Sequence, residues 1–376
     1  MSKLATGLIS ALLLGASAIA QDTLQYDGET WQVAAADNGA VRVEQALGRE
    51  ALYISRAQAW RRDVDLQDFV LEYEYASTDE SGFIGVNWRA ADENALEQFY
   101  VRPHQSGQPD AAQYLPVLNG IAGWQIYAGP NEAQATDLPA REWIRVRIVA
   151  IGDAADIFVG DMETPLLHIA DLGSETSGGA IGFYMSDRFW VEGTGSWFSN
   201  ISIRPVTPQD RLIGESRETD PLPDTLIGNW AVSEAFDEAL LDAGYSLPEL
   251  DDERTRLAVE PNGIANLSRL AGPSQGANTV LAEVTLSAEE AMTRELSFGY
   301  SDRVRLYLNG EQIFAGNAGW RVRDHRHLGT IVRVDRVPLR LQGGENVLTA
   351  AVSESFGGWG VSASLDSFDG LSIDTD

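Results

Sequence analysis

The sequence predicts an all-β chain built as two sandwich domains. Three observations carry this. Short segments alternate apolar and polar residues with period two. Gly, Asn, Asp and Pro bound those segments. A Pro-rich, charged stretch separates two such sets.

The chain opens on a targeting segment. Lys3 gives the positive start, Leu8–Leu14 the apolar run, and Ala18-Ile19-Ala20 an A-x-A cleavage site before Gln21. Residues 1–20 are therefore expected to be a signal peptide, and the mature protein to be exported to the periplasm or the extracellular space. The apolar run is too short to span a bilayer, and no membrane insertion is expected.

Residues 21–205 form the first expected sandwich. In Phe69–Ala76, FVLEYEYA, residues Phe69, Leu71, Tyr73 and Tyr75 share one face and Glu72 and Glu74 the other. The segments FIGVNWRA, WIRVRIVAIG, ADIFVG and AIGFYM repeat the pattern. Residues 206–224 carry Pro208, Pro221 and Pro223 among charges, and with Pro205 read as a linker. Residues 225–376 form the second sandwich. There Asn309-Gly310 between alternating strands is a hairpin signal. A two-residue turn would set Leu306 opposite Ile313, Val304 opposite Ala315 and Tyr307 opposite Gln312. A second strand pair is expected to join through Gly343-Gly344. Ser233–Ala243, SEAFDEALLDA, reads as a helix with a Ser cap and Gly244 after it, or else as a strand.

Composition narrows the function. The net charge is −29, and Lys3 is the only lysine. Such a chain repels phosphate backbones and anionic lipid surfaces, which excludes nucleic acid as a partner. It also disfavours polyanionic glycans unless Arg is clustered locally. The chain has no Cys, which removes disulfides, thiol catalysis and Cys-ligated metals.

The densest polar segment is Phe99–Tyr127. It holds Tyr100, Arg102, His104, Asp110, Gln113, Tyr114, Asn119, Trp124, Gln125 and Tyr127. Planar rings pack on the C–H faces of sugars, and amides, carboxylates and Arg satisfy sugar hydroxyls. These ten residues are the expected ligand-binding set, with an Arg102–Asp110 clamp within it. Arg102 and His104 would share a face if the strand ran to Pro103.

Asp324-His325-Arg326-His327 is a weak metal pattern, with Asp302 or Asp335 as a third ligand, and a solvated strand is the favoured reading. Arg321, Arg323, Arg326 and Arg333 form a basic cluster beside it. Glu72 and Glu74 stand two apart, but no third acid follows, so surface carboxylates are expected rather than a glycosidase pair. Trp31, Trp60, Trp88, Trp143, Trp197 and Trp230 are expected in strands and core, and Trp124, Trp190, Trp320 and Trp359 as exposed platforms. There is no G-x-S-x-G, phosphate-loop, dinucleotide or H-E-x-x-H motif.

The order of the first module, W-x-x-V-R-I-V-A-x-G, then A-D-I-F-V-G, then G-G-A-I-G-F, then FSNISIRP, resembles the laminin-G and concanavalin-like jelly roll, which the DUF1080-like sugar hydrolases and lyases share. The second module resembles the galactose-binding-like jelly roll beside family 2 glycoside hydrolase cores. The matching pieces are Ser301-Asp302-Arg303, Tyr307-Leu308-Asn309-Gly310, Leu341–Asn346 and Gly357-Gly358-Trp359-Gly360. No catalytic barrel follows it, so that hydrolase activity is not implied. The resemblance implies two jelly-roll sandwiches and a glycan partner, bound without a catalytic centre. The alternatives are a sugar-active enzyme using His104, Asp110 and Arg102, and an adhesion protein binding protein partners through its sandwich faces. No cofactor is expected. Jelly rolls of this kind leave room for a structural calcium, at no particular site here.

Overall fold

The structure is a computed structural model, and it describes residues 22–187, 193–243, 247–248, 250, 253–274, 276–323 and 329–373. The leader, Trp190 and the Asp324–His327 motif lie outside the described residues. The chain is all-β, with curled antiparallel sheets of the jelly-roll sandwich type. It divides into two compact units. The first runs to Val117 and resumes over Tyr127–Thr219, and the second takes Leu118–Ile126 and the chain from Asp220. Among the described residues no helix is long and apolar enough to cross a membrane.

The strands are β1 Asp22–Tyr26, β2 Glu29–Ala46, β3 Arg49–Arg61, β4 Phe69–Ser77, β5 Phe83–Ala90, β6 Leu96–Val101, β7 Ala112–Leu118, β8 Ile121–Ala122, β9 Ala133–Gln134, β10 Ile144–Ile151, β11 Ala154–Val159, β12 Leu167–Ile169, β13 Ala180–Ser186 and β14 Ser196–Pro205. In the first unit they run in the order β12-β11-β10-β4-β14-β3-β13-β5-β6-β7, with β1 and β2 beyond β3. The β2–β3 hairpin is long and shifts register between Ala35 and Ala40. As the alternation requires, Phe69, Leu71, Tyr73 and Tyr75 are buried in the core with Trp31, Trp88, Phe183 and Phe198.

The chain after β14 stays on this unit. Val206 and Leu212 pack against Val70, Val149 and Phe158 on the outer face of the sheet. Fully buried Asp156 accepts the amides of Ile213 (2.6 Å) and Gly214 (3.0 Å) on Oδ2, and pairs with His168 Nδ1 at 2.6 Å on Oδ1. The residues read as a linker are thus tied down as far as Arg217, which bonds Asn131 and Leu166.

The second unit carries β15 Asn229–Val232, β16 Thr255–Ala258, β17 Ala265–Asn266, β18 Thr279–Ala288, β19 Met292–Ser301, β20 Arg303–Leu308, β21 Glu311–Asn317, β22 Asp335–Leu341, β23 Gly344–Ser353, β24 Gly360–Leu365 and β25 Leu371–Ile373. One sheet runs β16-β15-β18-β23-β20-β21 and the other β17-β24-β19-β22. The Asn309-Gly310 turn has φ of 52° and 80° at its two residues, as a tight hairpin needs. Tyr307 faces Gln312 as expected. Beyond it a bulge at Ile313 sets Leu306 opposite Phe314 and Val304 opposite Gly316, which corrects the simple register.

Gly343-Gly344 does not close a hairpin. β22 pairs with β19 in one sheet and β23 with β18 and β20 in the other, so these glycines carry the chain between layers. The segment Ser233–Ala243 forms a 3-10 stretch only over Glu238–Ala243. Ser233 Oγ does not cap it; it accepts the Leu281 amide at 2.9 Å instead.

Candidate binding site

The ten residues expected to bind ligand do not gather into one surface within either unit. Asn119, Trp124 and Gln125 belong to the second unit, and the other seven to the first. Tyr100, Gln113, Tyr114, Gln125 and Tyr127 are buried. Tyr100 Oη donates to Gln113 Oε1 and Gln113 Nε2 to the Tyr127 carbonyl, both at 2.6 Å. Tyr114 Oη donates to buried Glu97 at 2.6 Å, and burial raises the Glu97 carboxyl despite that bond and the Ser174 amide. Tyr100, Gln113 and Tyr114 are strand residues whose polar atoms are used inside the unit, and Gln125 and Tyr127 are buried in turns, so none of the five presents its side chain to an outside ligand, which corrects the expectation for them.

The remainder of the set is exposed in part. Arg102 and Asp110 do form the expected clamp, at 2.9 Å between NH2 and Oδ2, with Nε also donating to the Asp110 carbonyl at 2.7 Å. The strand ends at Val101, so Arg102 and His104 do not share a strand face. Pro103–Gln105 is a 3-10 turn that leaves His104 exposed, edge-on to Phe83 at 5.3 Å. Asn119 donates to the Ser268 carbonyl at 2.8 Å, and Trp124 lies 5.9 Å from the Phe356 ring.

Gln125 instead closes a buried polar cluster in the second unit. Its Nε2 donates to the Gly329 carbonyl (2.9 Å), and its Oε1 accepts from Ser301 Oγ (2.7 Å). Next to it Asp302 Oδ2 accepts the amides of Ser355 and Phe356, both at 3.0 Å. Glu354 lies in the same cluster. Gly358 donates its amide to Oε1 at 3.3 Å, and Oε2 has no partner among the described residues. Burial raises both carboxyl groups, and Asp302's charge adds to the rise on Glu354.

The proposed third ligands are engaged elsewhere. Asp302 accepts those amides, and Asp335 pairs with Arg323 at 2.5 Å. Arg333 donates to Ser362, and Arg321 stacks on half-buried Trp320. Among the described residues no three His, Cys, Asp or Glu gather to hold a metal. Trp359 is fully buried, which corrects its reading as a platform.

The first unit also holds a groove of about 590 Å³. Three segments build it. The β1–β2 hairpin turns at Asp27-Gly28, with φ of 52° and 77°, and places Asp27 and Glu29 on one wall. The β3 end and the following loop bring Arg61, Asp63, Val64, Asp65 and Leu66. Ile201 and Ile203 of β14 close the third side, beside a bulge between Ser199 and Ser202. Trp31 and Tyr26 lie at the bottom, with Trp31 Nε1 donating to the Tyr26 carbonyl at 3.4 Å.

Arg61 organises the rim. Its side chain is 11% exposed, and its fork meets Asp63 through two 2.8 Å bonds and Glu29 at 2.9 Å. Those bonds from Arg61 hold the Asp63 carboxyl below its ordinary range. The groove therefore offers an apolar floor, one fixed cation, and carboxylate acceptors at Asp27, Glu29, Asp63 and Asp65. Sequence reading passed it over. The Asp-Gly signal at Asp27-Gly28 was present, but nothing local ties it to Arg61 or Ile203.

Glu72 and Glu74 are surface carboxylates, as the alternation predicts. Arg145 pairs with Glu72 at 2.8 Å and Arg49 with Glu74 at 2.5 Å.

No protein-family model matches the chain, and no curated protein matches it. Several solved structures are similar in part. The carbohydrate binding module CBM66 from Bacillus subtilis shares 17% identity at a TM-score of 0.30, over 46% of this chain and 94% of that one. The cellulose induced protein Cip1 shares 10% at 0.34, over 47% and 91%. A family 35 carbohydrate binding module from an environmental isolate shares 16% at 0.22, over 28% and 83%. Likeness this loose carries no functional argument.

Proposed function

We propose that the protein is an exported carbohydrate-binding protein, and that the Arg61 groove of the first unit holds a neutral glycan. The observation that carries this is the groove itself. Sugar rings present C–H faces that pack on Tyr26, Val64, Leu66, Ile201 and Ile203. Their hydroxyls donate to carboxylates already held in place, so little ordering entropy is lost on binding. Export rests on the leader pattern, and N-terminal sequencing of the secreted protein should begin at Gln21.

The test is a glycan array with the mature chain, followed by calorimetry on the best ligand with wild type, Arg61→Ala and Asp65→Asn. Arg61→Ala should weaken binding at least tenfold, because Asp63 and Glu29 lose the cation that orients them. A blank array, or a bound glycan indifferent to both substitutions, would refute the proposal. A second reading keeps the clamp at Arg102 and Asp110 beside exposed His104 as an enzymatic centre on sugar derivatives. It requires turnover that disappears in His104→Ala.

A further inference from the structure

We propose that the outer face of the first unit's sheet, where β2, β3, β14, β4 and β10 lie side by side, is a second binding site, for a polysaccharide carrying uronate carboxylates.

The face is set by register. Arg42 lies opposite Tyr53, Tyr53 opposite Trp197, and Trp197 opposite Ala76, so all four share one side. Tyr53 and Trp197 lie 6.3 Å apart between ring centroids. Guanidinium groups sit over three aromatic rings here. Arg42 is 3.7 Å above Tyr53, Arg49 is 4.4 Å above Trp143, and Arg141 is 5.8 Å above Trp197. Trp197 Nε1 is fixed to Glu44 Oε1 at 2.7 Å, and Trp143 Nε1 to the Leu47 carbonyl at 3.3 Å.

The charge balance is the reverse of the chain's. The whole protein carries −29. The strands put Arg42, Arg49, Arg145, Arg147 and Arg204 on this face, with Arg141 beside them, against the strand carboxylates Glu44, Glu72 and Glu74. Each carboxylate already has a cation, Arg42 on Glu44 at 2.6 Å, Arg145 on Glu72 and Arg49 on Glu74. Arg147 donates to the Met162 carbonyl and Arg204 pairs with Asp210, both at 2.7 Å, which leaves Arg141. It is exposed, and no ion pair joins it to a carboxylate among the described residues, neighbouring Glu142 included.

A planar guanidinium fork held over a ring is matched by a planar carboxylate. A uronate supplies that carboxylate on a sugar whose ring can lie against half-buried Trp143. Repulsion from acids elsewhere on the chain is screened beyond about 8 Å at physiological salt, so a local excess of Arg can decide which ligand settles here. The face shares no residue with the Arg61 groove, and the two proposals stand or fall separately.

The probe is a galacturonate oligosaccharide, titrated against the mature chain beside its methyl ester, which keeps the ring and removes the charge. The free acid should bind at least tenfold tighter than the ester, and more weakly as salt rises. Arg141→Ala should lower that affinity about tenfold, Arg141→Lys should restore part of it, and Asp65→Asn in the groove should leave it unchanged. Equal affinity for acid and ester would overturn the proposal. So would the absence of binding to either, an Arg141→Ala variant that folds and binds normally, or equal binding of a poly-glutamate peptide.

Discussion

Glu354→Gln should stabilise the second unit at neutral pH and leave it unchanged in acid. Glu354 is 2% exposed, and Asp302 beside it is 4% exposed. Asp302 has the better hydration substitute, with two backbone amides donating to it. Glu354 has the Gly358 amide on one oxygen and no partner among the described residues on the other. Two buried carboxyl groups side by side cannot both ionise cheaply, and burial with the neighbouring Asp302 charge favours the protonated form of Glu354.

Its folded-state pKa is therefore raised above the unfolded value of about 4.3. The sign follows. Below the unfolded pKa both states hold the proton, and the contribution to stability is fully present. As pH rises, the unfolded chain releases its proton while the folded chain retains it. Stability then falls by about 1.4 kcal/mol per pH unit until the folded pKa is passed. Gln is neutral throughout, so the variant escapes this slope. Urea unfolding of both proteins between pH 4 and 7, followed by hydrogen exchange at Val352 and Val361 in the second unit, measures the difference. The gap in favour of Glu354→Gln should open steadily with pH. A gap constant with pH would show that Glu354 titrates as an ordinary surface acid, and the argument would fail.

Two further outcomes follow from tight backbone approaches and buried charge. Gly357 has φ of 106°, and a Cβ there would lie 2.2 Å from Trp124 Nε1. Gly357→Ala should lower the melting temperature of the second unit by several degrees, at a cost of about 2 kcal/mol or more, and an unchanged melt would contradict the geometry. Asp156→Ala leaves the amides of Ile213 and Gly214 without their acceptor. It should cost about 3 kcal/mol and open residues 206–217 to limited proteolysis, whereas a cleavage pattern identical to wild type would mean that the segment is held by packing alone.

What the sequence made legible, and what it hid, divides along one physical line. Period-two alternation reports which face of a strand is buried, because side chains of successive residues point to opposite sides of a sheet. Phe69–Tyr75 obeyed it, and so did the Asn309-Gly310 hairpin. Alternation does not report the partner strand. It therefore missed the bulge at Ile313 and the crossing at Gly343-Gly344, both of which depend on a neighbour distant in sequence. The same limit governs the sites. Tyr100, Gln113 and Tyr114 look like a sugar site because they carry polar atoms on planar groups. A buried layer demands the same atoms for internal hydrogen bonds, and here Glu97, Gln113 and the Tyr127 carbonyl consume them. Composition cannot separate these two uses; only burial can. The groove shows the converse. Its walls come from residues 26–31, 61–66 and 201–203, each ordinary by itself, and Arg61 becomes a rim cation only when the β1–β2 hairpin brings Glu29 to it. A site assembled from segments this far apart leaves no local mark, so it had to be read from register and turn geometry together.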